Sequence, residues 1–126
     1  MTFCTAIKCV DGRTTQPVIS FLTTRFKCDY VDLVTEPGVN RIIADNLDDT
    51  TVASIIRRVE ISVEKHQSRG IAISGHADCA GNPAPADEQR SHTIAAVKYI
   101  RAHFPSVPVI GLWVDANWTV SELEID

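Results

Sequence analysis

The segment "GHADC" carries His76 and Cys79 three residues apart, just after a short apolar run. An imidazole nitrogen and a thiolate sulfur are both good zinc donors, yet two donors leave a coordination shell half open. The rest must come from elsewhere in the chain. Far upstream, "CVDGR" offers Cys9 with Asp11 and Arg13 close behind. Two thiolates and one imidazole with one place open is a recognised catalytic zinc arrangement. Beside such a metal an aspartate has two roles available. It can ligate the fourth position and shut the site, or pair with Arg13 and leave that position to water. Rival uses of cysteine are absent: the four cysteines, Cys4, Cys9, Cys28 and Cys79, form no Cys-x-x-Cys, and none begins a Cys-x5-Arg.

The elements that must position these groups can be read from periodicity. "FCTAIKCV" alternates and breaks at "DGR", a strand ending near Cys9. "QPVISFLTTRF" has helical spacing with a proline near its start, and "YVDLVT" is a β-rich run stopped by "EPG". In "DDTTVASIIRRVEISVEKHQSRG", Val52, Ile55, Ile56, Val59 and Val63 share a stripe between capping residues and Gly70, which predicts a helix over 48–70. "IAISG" is a third strand. "PADEQRSHTIAAVKYIRAHF" is a second long helix with Ile94, Val97 and Ile100 inward, and "VPVIGLWVD" is a fourth strand before a polar tail. The chain thus reads β-α-β-α-β-α-β. That order predicts a single α/β domain over residues 1–126: three layers, a mostly parallel four-stranded sheet, helices on both faces.

Ligands of open α/β sheets bind beyond the carboxyl ends of the strands, where neighbouring crossovers part. Cys9 and His76 both fall at such ends. If the first and third strands are neighbours, Cys9, His76 and Cys79 converge. Cys4 points to the opposite strand face, and Cys28 precedes the second strand at the wrong end of the sheet. Asp78 is expected to face solvent or cap its loop, Gly38 and Gly75 to be turn positions, and Trp113 and Trp118 to be packing residues.

Composition narrows the partners. A chain of 126 residues with net charge −4 and no Lys/Arg run argues against a nucleic-acid or membrane-surface partner and for a small-molecule substrate. No signal peptide or membrane-spanning run is evident, and reduced cysteines are the default, so the expected compartment is the cytoplasm.

Taken in order, "CVDGR", "GHADC" and the final strand "VIGLWVD" resemble the β-class carbonic anhydrases, whose motifs are Cys-x-Asp-Ser-Arg and His-x-x-Cys with a late Gly-x-x-x-Asp-like strand. The resemblance covers nearly the whole chain. It implies zinc as cofactor, held by Cys9, His76 and Cys79, with Asp11 and Arg13 as the catalytic dyad. It also implies a sheet order of 2-1-3-4, which makes strands one and three neighbours, and a homo-oligomer, a dimer or larger. Gly12 stands where the family has serine, and "TEPGVN", with Glu36 and Pro37, stands where it reads Arg-Asn-Ala-Gly-Asn. Family members carry amino-terminal helices that clasp a partner, whereas the first strand here begins near Met1. A shortened, divergent member is therefore expected, dimerising through an edge strand at Val109–Val114 or through the tail.

The activity so implied is reversible hydration of carbon dioxide to bicarbonate by zinc-bound hydroxide, oriented by Asp11. Zinc lowers the pKa of bound water from about 15.7 to about 7 in a three-histidine site. Two thiolates cancel the formal charge of the ion, so the water should be less acidic here and activity should rise toward alkaline pH. His66 and His92 are proton-shuttle candidates by residue type alone. Two alternatives keep the same cluster: a zinc hydrolase acting on carbonyl sulfide or carbon disulfide, and a catalytically silent zinc- or anion-binding homologue. Sulfide release without carbon dioxide hydration marks the first. A fourth protein ligand at every pH marks the second.

Overall fold

The computed structural model describes residues Met1–Asp126. In order, the elements are β1 (Phe3–Lys8), a 3-10 turn (Gly12–Thr14), α1 (Thr15–Arg25), β2 (Tyr30–Thr35), α2 (Val39–Asp45) and α3 (Asp49–Lys65). They continue with β3 (Ile71–His76), α4 (Ala86–His103), β4 (Val109–Val114) and β5 (Val120–Glu122). The strands form one sheet in the order β2-β1-β3-β4-β5. The first four are parallel and β5 is antiparallel to β4. The α/β class and the 2-1-3-4 core stand as expected.

Two apolar layers sandwich the sheet. Ile7, Val34, Ile71, Ile73 and Val109 pack under α2, α3 and α4, with Ile43, Ile55, Val59, Val97 and Ile100 as the helical contributions. On the other face Cys4, Ala6, Ala72, Ile110 and Leu112 pack under α1 through Val18 and Leu22. Strand alternation produces this division, because neighbouring residues point to opposite faces. Cys4 and Cys28 belong to the α1 layer.

Several features depart from the sequence expectations. The polar tail is not loose: it turns back and adds β5, so the sheet has five strands rather than four. β5 covers β4, so Val109–Val114 is not an edge strand. Helix α3 stops at Lys65 rather than Gly70, because Gln67 takes a positive φ of 52° and Ser68 N–H donates to the Ser62 carbonyl. Finally, α2 was not foreseen. It spans seven residues between left-handed Gly38 and Asn46, too few for a helical period to declare itself. Within α4, Gln89 and Thr93 are buried beside Val97 and Ile100, whereas Ile94 is only partly buried. No helix is long and apolar enough to cross a membrane.

Ile55 is 0% exposed and central to the larger layer. Truncation there removes packed methyl groups and leaves a cavity. Ile55→Ala should lower unfolding free energy by about 2–5 kcal/mol in chemical denaturation, with an unchanged denaturant slope.

Candidate metal centre

Parallel register between β1 and β3, with Thr5, Ala6 and Ile7 opposite Ile71, Ala72 and Ile73, brings the carboxyl ends of the two strands to one level. Cys9 directly follows β1, His76 is the last residue of β3, and Cys79 lies on the loop beyond. From β1 the chain departs to α1 on one face, and from β3 to α4 on the other. The two ends therefore border the crevice of a topological switch point.

There the donor atoms of Cys9, His76 and Cys79 all lie within 4.8 Å of one another, and all three residues are buried. The two sulfurs are 3.8 Å apart. Two sulfurs each about 2.3 Å from one tetrahedral zinc would be separated by about 3.8 Å. His76 Nδ1 lies 2.7 Å from the Ala77 carbonyl oxygen, while its Nε2 is buried with no hydrogen-bond partner. In the neutral ring with its proton on Nδ1, donated to that carbonyl, Nε2 presents a lone pair, the arrangement found in metal-ligating histidines. A buried polar atom left alone is costly, and a cation among these donors would relieve it. The residues present fit zinc.

Backbone donors prepare the sulfurs. Gly38 N–H points at Cys9 Sγ at 3.5 Å, and Asn82 N–H at Cys79 Sγ at 3.3 Å. Burial alone would raise the Cys9 thiol. The His76 ring, the N–H groups of Gly38 and Asp11, and Cys79 outweigh it and lower its pKa to about 6. Cys79 is pushed up, by burial first and then by negative charge on Cys9. Burial lowers His76, but the Cys9 sulfur, the Ala77 carbonyl and Asp11 more than compensate and raise it. The Gly38 donor depends on a close approach. Gly38 has φ +61°, and a Cβ there would lie 2.5 Å from the Gly81 carbonyl group, so the loops after β2 and β3 touch backbone to backbone.

Asp11 and Arg13 form a tight pair. Arg13 Nη2 donates to Asp11 Oδ2 at 2.7 Å, Nε reaches both carboxylate oxygens, and the Arg13 backbone N–H donates to Oδ1 at 2.9 Å. The guanidinium hydrogen bonds hold the Asp11 carboxyl down to about pKa 2, and the same contacts raise Arg13. Asp11 Oδ2 also lies 4.0 Å from His76 Nε2, so the paired carboxylate stands at the margin of the cluster. Arg13 reaches across to the second loop as well, donating to the Asp78 carboxylate and carbonyl oxygens, each at 3.2 Å.

Sequence reasoning missed several residues that hold this centre. Lys8 is 1% exposed, and its Nζ donates to the carbonyls of Cys9 and Asp11 at 2.6 and 3.3 Å, with burial lowering its pKa. Gln89 Nε2 donates to the carbonyls of His76 and Asn82 at 2.8 and 3.0 Å, while its Oε1 accepts from His76 N–H. Asn40 Nδ2 donates to Thr93 Oγ1 at 3.1 Å, and Asn82 Nδ2 to Asn40 Oδ1 at 3.1 Å. Gly75 is a residue of β3 rather than the turn position expected, and it admits this network, since a Cβ there would lie 2.7 Å from Asn40 Nδ2. One signal was available: Gln89 and Thr93 are polar residues four apart on the buried stripe of α4. Of the two shuttle candidates, His92 joins the network through Asn82 Nδ2 at 3.0 Å. His66 is bound to Asp32 and stacked on Phe3 at the opposite end of β1.

Comparison with known proteins agrees with this geometry. A family model described as "Putative carbonic anhydrase" matches residues 1–124. No curated protein sequence matches. Among solved structures, a tetrameric β-carbonic anhydrase of the filamentous ascomycete Sordaria macrospora is 16% identical, with a TM-score of 0.61 over 95% of this chain and 79% of that one. The β-carbonic anhydrase CafA of the fungal pathogen Aspergillus fumigatus is 17% identical, with a TM-score of 0.62 over 96% and 74%. CafD of the same fungus is 15% identical, with a TM-score of 0.61 over 98% and 90%. At these identities the structures show a shared fold.

The lowered Cys9 pKa has a direct readout. In metal-stripped protein, ultraviolet thiolate absorbance should rise with a midpoint at about pH 6 and lose that step in Cys9→Ser. Since the folded value lies below the ordinary 9.0, ionisation favours the fold: stability is gained as pH rises from about 6 toward 9 and lost as pH falls back through 6. Titration of all four thiols near or above 9.0 would contradict it.

Proposed function

The chain belongs to the carbonic anhydrase family matched over residues 1–124, and from that premise we propose that it is a zinc lyase interconverting carbon dioxide and bicarbonate. The observation that carries this reading is the unpartnered His76 Nε2 facing two sulfurs 3.8 Å apart. Cys9, His76 and Cys79 would hold the zinc. Bound there, zinc supplies the Lewis acidity that lets water ionise toward neutral pH, tempered by two thiolates that cancel its formal charge.

The chain's own groups do the rest. Asp11, kept ionised by Arg13, accepts a hydrogen bond from the attacking water at Oδ2 and so sets the direction of attack on carbon dioxide. Water adds to the carbon, one proton is released, and bicarbonate departs in exchange for another water. His92, whose Nδ1 lies 3.0 Å from Asn82 Nδ2, is the histidine to which we assign the uptake of that proton. Gln89 and Lys8 tether the carbonyls of His76, Cys9 and Asp11, which fixes the backbone that carries the donors. Glu36, which stands where the resembled family has a different residue type, is paired with Arg58 at 2.6 Å.

The protein is read as a homo-oligomer, dimeric or larger, in keeping with the tetrameric Sordaria enzyme. Four free cysteines suit a reducing compartment, hence the cytoplasm. Two variants separate metal holding from catalysis. Cys79→Ser should lose zinc, from about one ion per chain to little, by elemental analysis. Asp11→Asn should keep its zinc yet lose about 10²-fold or more in stopped-flow hydration. Wild-type rates should climb from about pH 7 to pH 9. No hydration above buffer across that range overturns the reading, and sulfide release from carbonyl sulfide in its place would reassign the substrate.

A further inference from the structure

The β4–β5 hairpin places an aromatic ring where its geometry asks for glycine. Asp115 N–H donates to the Thr119 carbonyl at 3.0 Å and Trp118 N–H to the Asp115 carbonyl at 2.9 Å, which closes a loop of Ala116, Asn117 and Trp118. Asp115 Oδ1 braces it by accepting from the N–H groups of Asn117 and Thr119 at 2.8 and 3.0 Å. In three-residue hairpins the last loop position is left-handed and normally glycine. Here it is Trp118, at φ 61°. A large side chain held in that region is strained, and such strain concentrates at functional positions.

The ring lies against Arg13, with the guanidinium carbon 4.5 Å from its centroid. The edges of that guanidinium are taken by Asp11 and Asp78, so a face is what remains for a further partner. An indole face is the best aromatic partner for a cation. The ring is itself anchored, packed against the apolar layer under α1. Arg13 is 48% exposed in its side chain and would otherwise have solvent on that side.

We propose that Trp118 is a positioning residue for the Asp11–Arg13 pair: by stacking on Arg13 it keeps the guanidinium in the plane that binds Asp11 and Asp78, and so keeps the Asp11 carboxylate turned to the attacking water. This rests on the role given to Asp11 above. The hairpin thereby becomes a third segment clamping the loops of Cys9 and Cys79.

The test uses the zinc-loaded full chain. The Arg13 Nε–H resonance should be shifted upfield by the indole ring current and exchange slowly with solvent. Trp118→Leu should abolish that shift, retain zinc, and lower kcat for carbon dioxide hydration by about 10-fold, with KM little changed. Trp118→Phe should restore part of both. An unshifted Arg13 resonance in the wild-type chain overturns the proposal, and this reading stands even if the leucine variant fails to fold. Loss of the shift with undiminished kcat overturns it too, since the contact would then have no consequence. A wild-type chain that hydrates no carbon dioxide fails the enzymatic reading, while the shift still reports on the stack.

Discussion

Parallel pairing of β1 with β3 governs the rest of the molecule. Cys9 and Cys79 are far apart in sequence, and only the register of Thr5–Ile7 against Ile71–Ile73 brings the two strand ends level. Because β1 sends its crossover one way and β3 sends its own the other way, no helix fills the space between their ends. Polar groups can gather there without sacrificing the core. The two apolar layers then act as walls, locking β1, which leads directly into Cys9, and β3, which ends on His76.

Charge balance follows from the same crowding. Burying thiols favours their neutral form, and the fold opposes this with oriented backbone N–H groups at Gly38 and Asn82. Asp11 would be repelled by a thiolate beside it, and Arg13 offsets that by holding both carboxylate oxygens. Each favourable contact comes from a different loop. Gly38 follows β2, Asn82 follows β3, and Trp118 comes from the β4–β5 turn. The centre is therefore a junction of four loops, and a backbone as close as that between Gly38 and Gly81 leaves little room for side-chain change.

Much of this was readable beforehand. The strands around "FCTAIK" and "IAISG" and the stripe through Val52, Ile55 and Val59 declare themselves by period, and the strand ends put Cys9 and His76 at one edge of any parallel sheet. The neighbour order came with the family resemblance, because periodicity says nothing about which strands pair. β5 was not readable: its three residues pair only because the Asp115–Thr119 turn folds them back. Nothing in the sequence marks Lys8, because its burial depends on carbonyls supplied at Cys9 and Asp11 by the turn that follows β1. Trp118 looked like packing, and its contact with Arg13 exists only once the hairpin has formed.

The central claim concerns the donor set, and zinc K-edge X-ray absorption on the purified chain tests it most directly. The account predicts two sulfur scatterers at about 2.3 Å together with nitrogen or oxygen at about 2.0–2.1 Å, one sulfur being lost in Cys9→Ser or Cys79→Ser. A shell of nitrogen and oxygen alone, or a chain that retains no zinc after dialysis, would contradict it.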